Sequence, residues 1–184
     1  AWVEEAEKRG LPNIKSMVEA IPALTTEASV RMFEAFNVFT KAELESRVEI
    51  EYEAYSKAIN IEARTMIDMA GKQIIPAAVK YATMLADSLS KVQTACPDAD
   101  VSVQAELLTE TSAYLSDMKV ALANLTDVTE KCGIIENNKE QANAYHDIVV
   151  PAMEALRAPA DKLEMMVDKE LWPMPSYGDL IFEV

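Results

Sequence analysis

From Leu44 onward the apolar residues of this chain step by three and four without a break: Leu44, Val48, Tyr52, Tyr55, Ile59, Ala63, Met66 and Ala70. Such a stripe lies along one face of a helix and requires another apolar surface to cover it. It resumes beyond Pro76 with Ala78, Tyr81, Leu85, Leu89 and Val92. Gly71 is a weak helix former, and Pro76 lacks an N–H and crowds the turn before it. No polar loop separates the two halves, so the pattern predicts one long helix with a kink over 71–76. A fold containing a helix of that length has to be built around it.

Two further stripes supply the cover. After the connector "ACPDAD" come Val103, Leu107, Thr111, Tyr114, Met118, Ala121, Leu125, Val128 and Cys132, with Gly133 where a helix C-cap belongs. At 1.5 Å per residue that helix is about 45 Å long. Asn137 and Glu140 have capping-box spacing and open the last helix. Its stripe is Tyr145, Val149, Ala152, Leu156, Leu163 and Val167, interrupted by Pro151 and Pro159. Short connectors make consecutive helices antiparallel. The chain has only 4 glycines and 8 prolines, which also favours helix. The expected fold is all-α: an elongated antiparallel bundle over 41–171, with a kinked long helix. No internal repeat or low-complexity segment is visible.

Residues 1–40 read as shorter pieces. "NIKSMVEAI" predicts two turns stopped by Pro22, then "TTEASVRMFEAF" a helix capped by Thr25 or Thr26. Thr40 and Glu43 form a capping box at the start of the long helix. Trp2, Ile14, Met17, Phe33, Phe36 and Phe39 give this region an apolar character suited to packing on the bundle or on a larger body.

Basic residues number 17 and acidic ones 31, a net charge of −14. That surface repels phosphate backbones and anionic lipid, so neither nucleic acid nor a membrane is an expected partner. No apolar run approaches the span of about 18 residues needed to cross a bilayer. The acidic start "AWVEEAEKRG" carries no signal segment and no initiating Met. The expectation is a piece of a longer protein that keeps the natural C-terminus. Cys96 and Cys132 suggest no disulfide framework and a cytoplasmic setting.

Tests for chemistry are negative. A di-iron carboxylate bundle needs Glu-x-x-His pairs, but Asn143 stands three before His146, the one histidine. His146 therefore reads as an ordinary helix-face residue. Glu45, Arg47, Glu49, Glu51 and Glu53 make a solvated charged face. Glu62 and Asp68 lie nearer the apolar stripe and are candidates for buried carboxylates. Cys132 at a helix C-terminus meets the wrong end of the dipole for a thiolate, and Cys96 has no histidine nearby. Met66, Met69, Met84, Met118, Met153, Met165 and Met166 read as core fillers. There is no P-loop or other glycine-rich phosphate loop, and no basic aromatic patch.

The C-terminal strip, 172–184, departs from helical patterning. Pro173 and Pro175 bias Trp172 and Met174 toward extended backbone. Trp172, Tyr177 and Phe182 are large apolar groups with few rotatable bonds. Gly178 allows a turn that aims Tyr177 and Phe182 at one surface. The expectation is an extended, docked strip, with Trp172, Pro173, Pro175, Tyr177 and Phe182 as candidate docking or assembly residues. An equally open alternative is that the strip covers the end of its own bundle.

Three stretches carry a family resemblance: "LPNIKSMVEAIPALTTEASVRMFEAFNVFTKAELESR", "YSKAINIEARTMIDMAGKQIIPA" and "LWPMPSYGDLIFEV". In order and spacing the chain resembles the C-terminal region of type III glutamine synthetases, and the closing strip is the most specific match. The resemblance implies a parent enzyme that joins glutamate and ammonia at the expense of ATP, with a divalent metal (Mg or Mn). It implies that an upstream catalytic portion of the same chain holds those groups, and that the parent is a large double-ring homo-oligomer. None of that family's catalytic motifs occurs here, so no catalytic, cofactor or metal residue is carried over. The expected role is structural: assembly, support of the catalytic body, or regulation. The rival from another class is a free-standing helical scaffold or sensor module that binds partner helices.

Overall fold

The computed structural model describes residues 1–182, and among them the regular structure is helical, with no strand. In chain order the elements are α1 (Trp2–Lys8), α2 (Met17–Ala20) running into a 3-10 turn (Ile21–Thr25), α3 (Glu27–Ala35) and α4 (Lys41–Met69). A π-helical turn (Ala70–Ile74) joins α4 to α5 (Ile75–Ala95). Then come α6 (Ser102–Gly133), α7 (Asn138–Ala144), a second π turn (Tyr145–Val149), α8 (Val150–Glu164) and α9 (Tyr177–Phe182). The all-α expectation holds.

Helix starts follow the caps. Thr40 and Glu43 form the full box: the Thr40 N–H donates to Glu43 Oε2 at 2.7 Å, and the Glu43 N–H donates to Thr40 Oγ1 at 3.3 Å. The backbone and hydroxyl of Thr40 hold the Glu43 carboxyl below its ordinary range. Thr26 caps α3 and Asn137 caps α7. Pro22 does not stop a helix. It stands early in the 3-10 turn, where its missing N–H has no helical partner to lose, and the preceding helix is a single turn capped by Ser16. α3 ends in a Schellman turn: Val38 N–H donates to the Phe33 carbonyl, Asn37 N–H to that of Glu34, and Asn37 takes φ 52°. Gly133, expected as a C-cap, is the last residue of α6 and needs no left-handed backbone.

The helix is unbroken from Lys41 to Ala95, and the irregularity at 70–74 is a π turn in which the Ile75 N–H donates to the Ala70 carbonyl. Pro76 stands second in the segment that follows. The second π turn stands in the same relation to Pro151, second in α8. A proline ring presses on the carbonyl four residues back and offers no N–H. Inserting one residue into the preceding turn shifts that carbonyl, so the chain stays helical.

The chain forms two compact units. The first comprises Ala1–Ile61 and Lys131–Asp147. Val18, Ile21, Tyr52 and Ala142 bury together, with Val48 and Tyr55 packed against them. This gathers α2, the start of α4 and α7. Gln141 ties α7 to the end of α6 by donating its Nε2 hydrogens toward the carbonyls of Cys132, Gly133 and Ile135, at 3.0–3.3 Å. Asn138 Nδ2 donates to Glu49 at 3.0 Å. Phe33 and Phe39 pack at 5.7 Å between ring centroids, and the Arg47 guanidinium lies 4.2 Å over the Phe39 ring.

The second unit comprises Glu62–Glu130 and the residues from Ile148 onward. A groove is lined by Arg64, Ile67 and Asp68 on one side and Thr126, Thr129 and Glu130 on the other. Further along, Gly71 and Lys72 face Lys119 and Leu122. Rising numbers on α4 meet falling numbers on α6, so the two run antiparallel. Ala63, Ala70, Ala78, Met118, Leu125, Val149, Leu156 and Leu163 are buried here, as the stripes predict. Three expectations and one open candidacy fail at this level. Val103 is 64% exposed, because its stripe reaches the α6 terminus before the cover begins. Met84 and Met165 are exposed rather than core. Glu62 and Asp68 are exposed, and Asp68 pairs with Lys72 one turn on, so neither is a buried carboxylate. Residues 177–182 are helical rather than extended.

Candidate docking site

The C-terminal strip is positioned by two turns. After α8, Met166 and Val167 N–H groups donate to the Leu163 carbonyl. Leu171 and Trp172 N–H groups then donate to the Asp168 carbonyl, both at 3.0 Å. Pro173 and Pro175 follow, both exposed, and residues 172–176 carry no helix. X-Pro sterics disfavour helix at Trp172 and Met174.

At Ser176 the chain turns into α9 through a box the sequence also contains. Ser176 Oγ accepts from the Asp179 N–H at 3.3 Å, while the Ser176 N–H and hydroxyl donate to Asp179 Oδ2, each at 2.7 Å. Asp179 stands where a capping box ordinarily uses Glu. Pro173 and Pro175 predict extended chain, whereas the spacing Ser176-x-x-Asp179 is the signal for a helix start. Pro175 precedes the cap, outside the helix, where it obstructs nothing. Gly178 has no left-handed backbone, so the expected turn there is absent. Lys169 Nζ donates to Asp179 Oδ1 at 2.7 Å. The Lys169 ammonium, helped by the Ser176 hydroxyl and N–H, pulls the Asp179 carboxyl down to about 2.

The predicted docking residues therefore separate. Trp172 is half-buried and lines a cavity of the second unit together with Met174. Tyr177 is 85% and Phe182 80% exposed, and Leu180 and Ile181 between them are exposed too. A six-residue helix thus shows almost its whole apolar complement to solvent. In the first unit Trp2, Leu11 and Phe36 are likewise exposed.

His146 Nδ1 lies 2.7 Å from the neighbouring Asp147 carboxylate. Cys96 and Cys132 are free thiols, and burial raises the Cys132 pKa, away from nucleophilic character. Among the described residues no three His, Cys, Asp or Glu side chains come together in a way that fits a metal ion. Among them, too, no helix is long and apolar enough to cross a membrane.

Comparison with known proteins decides the family. Residues 1–93 match the model of the glutamine synthetase C-terminal domain. The chain belongs to that family. Over 98% of its length it is 35% identical to a glutamine synthetase of Bacteroides fragilis (strain YCH46). It is 32% identical over its full length to a glutamine synthetase of Butyrivibrio fibrisolvens. A type-3 glutamine synthetase of Dictyostelium discoideum is 28% identical over 98% of the chain. The chain spans only 25–26% of the length of these relatives. As a glutamine synthetase C-terminal domain of the type III kind, it matches the family model over α1 to α5 and its relatives over 98–100% of its length.

Proposed function

We propose that this domain serves assembly and support in an ATP-dependent glutamate–ammonia ligase, a cytoplasmic enzyme of nitrogen assimilation, and holds no catalytic site of its own. The exposed apolar face of α9 is the observation that carries this reading. Tyr177, Leu180, Ile181 and Phe182 are largely exposed, and leaving four such groups in water is costly, at about 1.5–3 kcal/mol for each large side chain fully buried. A capping box and an ion pair nevertheless hold them in one orientation. A pre-ordered apolar helix loses little entropy on docking. On this reading ATP and a divalent metal (Mg or Mn) act in the catalytic portion of the longer chain. The homo-oligomer, a large double ring, is the body that the strip helps to close.

The test is made in the full-length enzyme. Deletion from Trp172 onward is expected to shift sedimentation to smaller species and to lower synthetase activity together. A truncated enzyme of unchanged size and activity overturns the assembly role. Calorimetry of this chain alone with ATP and Mg²⁺ is expected to show no binding at low micromolar concentration, and such binding overturns the claim that it holds no nucleotide site.

A further inference from the structure

The long helix α4 carries a second apolar stripe. Ile50, Ala54, Ala58 and Ile61 step by four, four and three residues. At 3.6 residues per turn they share one side of the helix, within about 80° of arc and roughly opposite buried Tyr52 and Ser56. Ile50 is 58% and Ile61 65% exposed, and Ala54 and Ala58 are exposed as well. All four belong to the first unit. Single apolar residues on a surface are ordinary, but a run at helical spacing on the side away from the core is a second contact face.

Its shape and edges describe what fits. The two alanines make a shallow floor between two isoleucine walls, about 16 Å from end to end. A hollow of that form takes a large side chain of a helix laid along α4. One edge carries the Glu53–Lys57 ion pair at 2.6 Å, and the other carries Glu51 and Glu62. An apolar centre with a charged rim is the usual anatomy of a protein contact.

Charge, area and chain length decide the occupant. A second copy brings another net charge of −14 against the first, which opposes self-association. Four side chains, two of them alanine, offer far less than the standard interface area of about 800 Å² per partner, too little to hold a free partner. A segment of the same polypeptide needs no such area, because tethering supplies a high local concentration. The relatives extend well beyond this chain, which spans 25–26% of their length.

We infer that in the full-length protein the outer face of α4 is covered by an amphipathic helix from the part of the same polypeptide outside residues 1–184, with a large apolar side chain of that helix seated over Ala54 and Ala58. The inference rests on the support role proposed above and names the face through which support is given.

Ala58→Cys and Ile61→Cys are made singly in this chain and in the full-length enzyme. Iodoacetamide labelling is followed by mass spectrometry of the peptide that holds the new thiol. Both thiols should label quickly in this chain. In the full-length enzyme each should label slower by about tenfold or more, since only local opening exposes a thiol beneath a packed helix. Equal rates in the two proteins overturn the proposal, and either variant decides if the other fails to fold. p-Benzoylphenylalanine in place of Lys57, at the edge of the stripe, identifies the cover. After irradiation the expected product keeps single-subunit mass on a denaturing gel, with its cross-linked peptide outside residues 1–184. A product of doubled mass, or a cross-link within residues 1–184, overturns the assignment. Deletion from Trp172 leaves residues 50–61 in place, so the two readings fail separately. An assembly that survives that deletion while the thiol at 58 stays slow sinks the role of the strip alone. A fast thiol at 58 in an enzyme that the deletion breaks sinks this inference alone.

Discussion

Lys169 reaches across ten positions of chain to place its ammonium 2.7 Å from the Asp179 carboxylate, and so fixes the start of α9 to the turn that follows α8. Asp179 makes this contact while serving as the returning half of the box begun by Ser176. The pKa of this group is lowered from 3.8 to about 2. A depressed carboxyl binds fewer protons folded than unfolded, so its contribution is fully present above pH 3.8 and is lost as pH falls through about 2. The helical ¹³C shifts of residues 177–182 should therefore persist from pH 7 to 4 and fade between pH 4 and 2. Lys169→Met should raise the Asp179 titration toward 3.8. A titration of Asp179 that is the same with and without Lys169 contradicts this account.

The two π turns give a second prediction. Pro76 and Pro151 each follow a turn that has already shifted the carbonyl they would strike. Pro76→Ala should then change stability by no more than about 1 kcal/mol. A proline placed where no π turn precedes it, Ala123→Pro in α6, should cost about 3 kcal/mol or more. Urea unfolding of the two variants makes the comparison. A large gain in stability for Pro76→Ala shows that the π turn leaves the strain unrelieved.

Burial separates positions that the stripes treat alike. Leu163 is fully buried, and Leu163→Ala should cost about 2–5 kcal/mol by lost contact and residual cavity. Val103 belongs to an equally regular stripe yet is exposed, so Val103→Ala should stay within about 0.5 kcal/mol. Equal losses at the two sites place Val103 in a core and contradict the structure.

That contrast shows what periodicity conveys. Leu44, Tyr52, Ala63 and Ala70 were legible as one face because spacing alone sets direction around a helix. Where a partner begins to cover that face depends on distant chain, so Val103 was misplaced. The caps at Thr40 and Asn137 were legible because their logic is local, and Ser176 obeys the same logic. It went unrecognised only because neighbouring prolines suggested continued extension. The π turns carry no composition signal beyond the following Pro76 and Pro151. The C-terminal strip was visible from its aromatics. The division between a half-buried Trp172 and an exposed Tyr177 follows from tertiary packing, which spacing does not encode.

The same division supports the last prediction. Tyr177 and Phe182 are held by a cap and an ion pair but touch little of their own unit, so Tyr177→Ser with Phe182→Ser should leave the unfolding of this chain within about 0.5 kcal/mol of the original. Trp172 lies half-buried beside Met174 at the cavity, and Trp172→Ala should cost more, about 1–3 kcal/mol, short of the full loss for a core tryptophan. Both are read by urea denaturation of this chain, then by sedimentation of the full-length enzyme carrying the same changes. The double serine variant should weaken the assembly while sparing the domain, because its apolar groups contribute only once a partner covers them. If it destabilises the isolated chain by more than about 1 kcal/mol, α9 is packing on its own unit and is no free docking face.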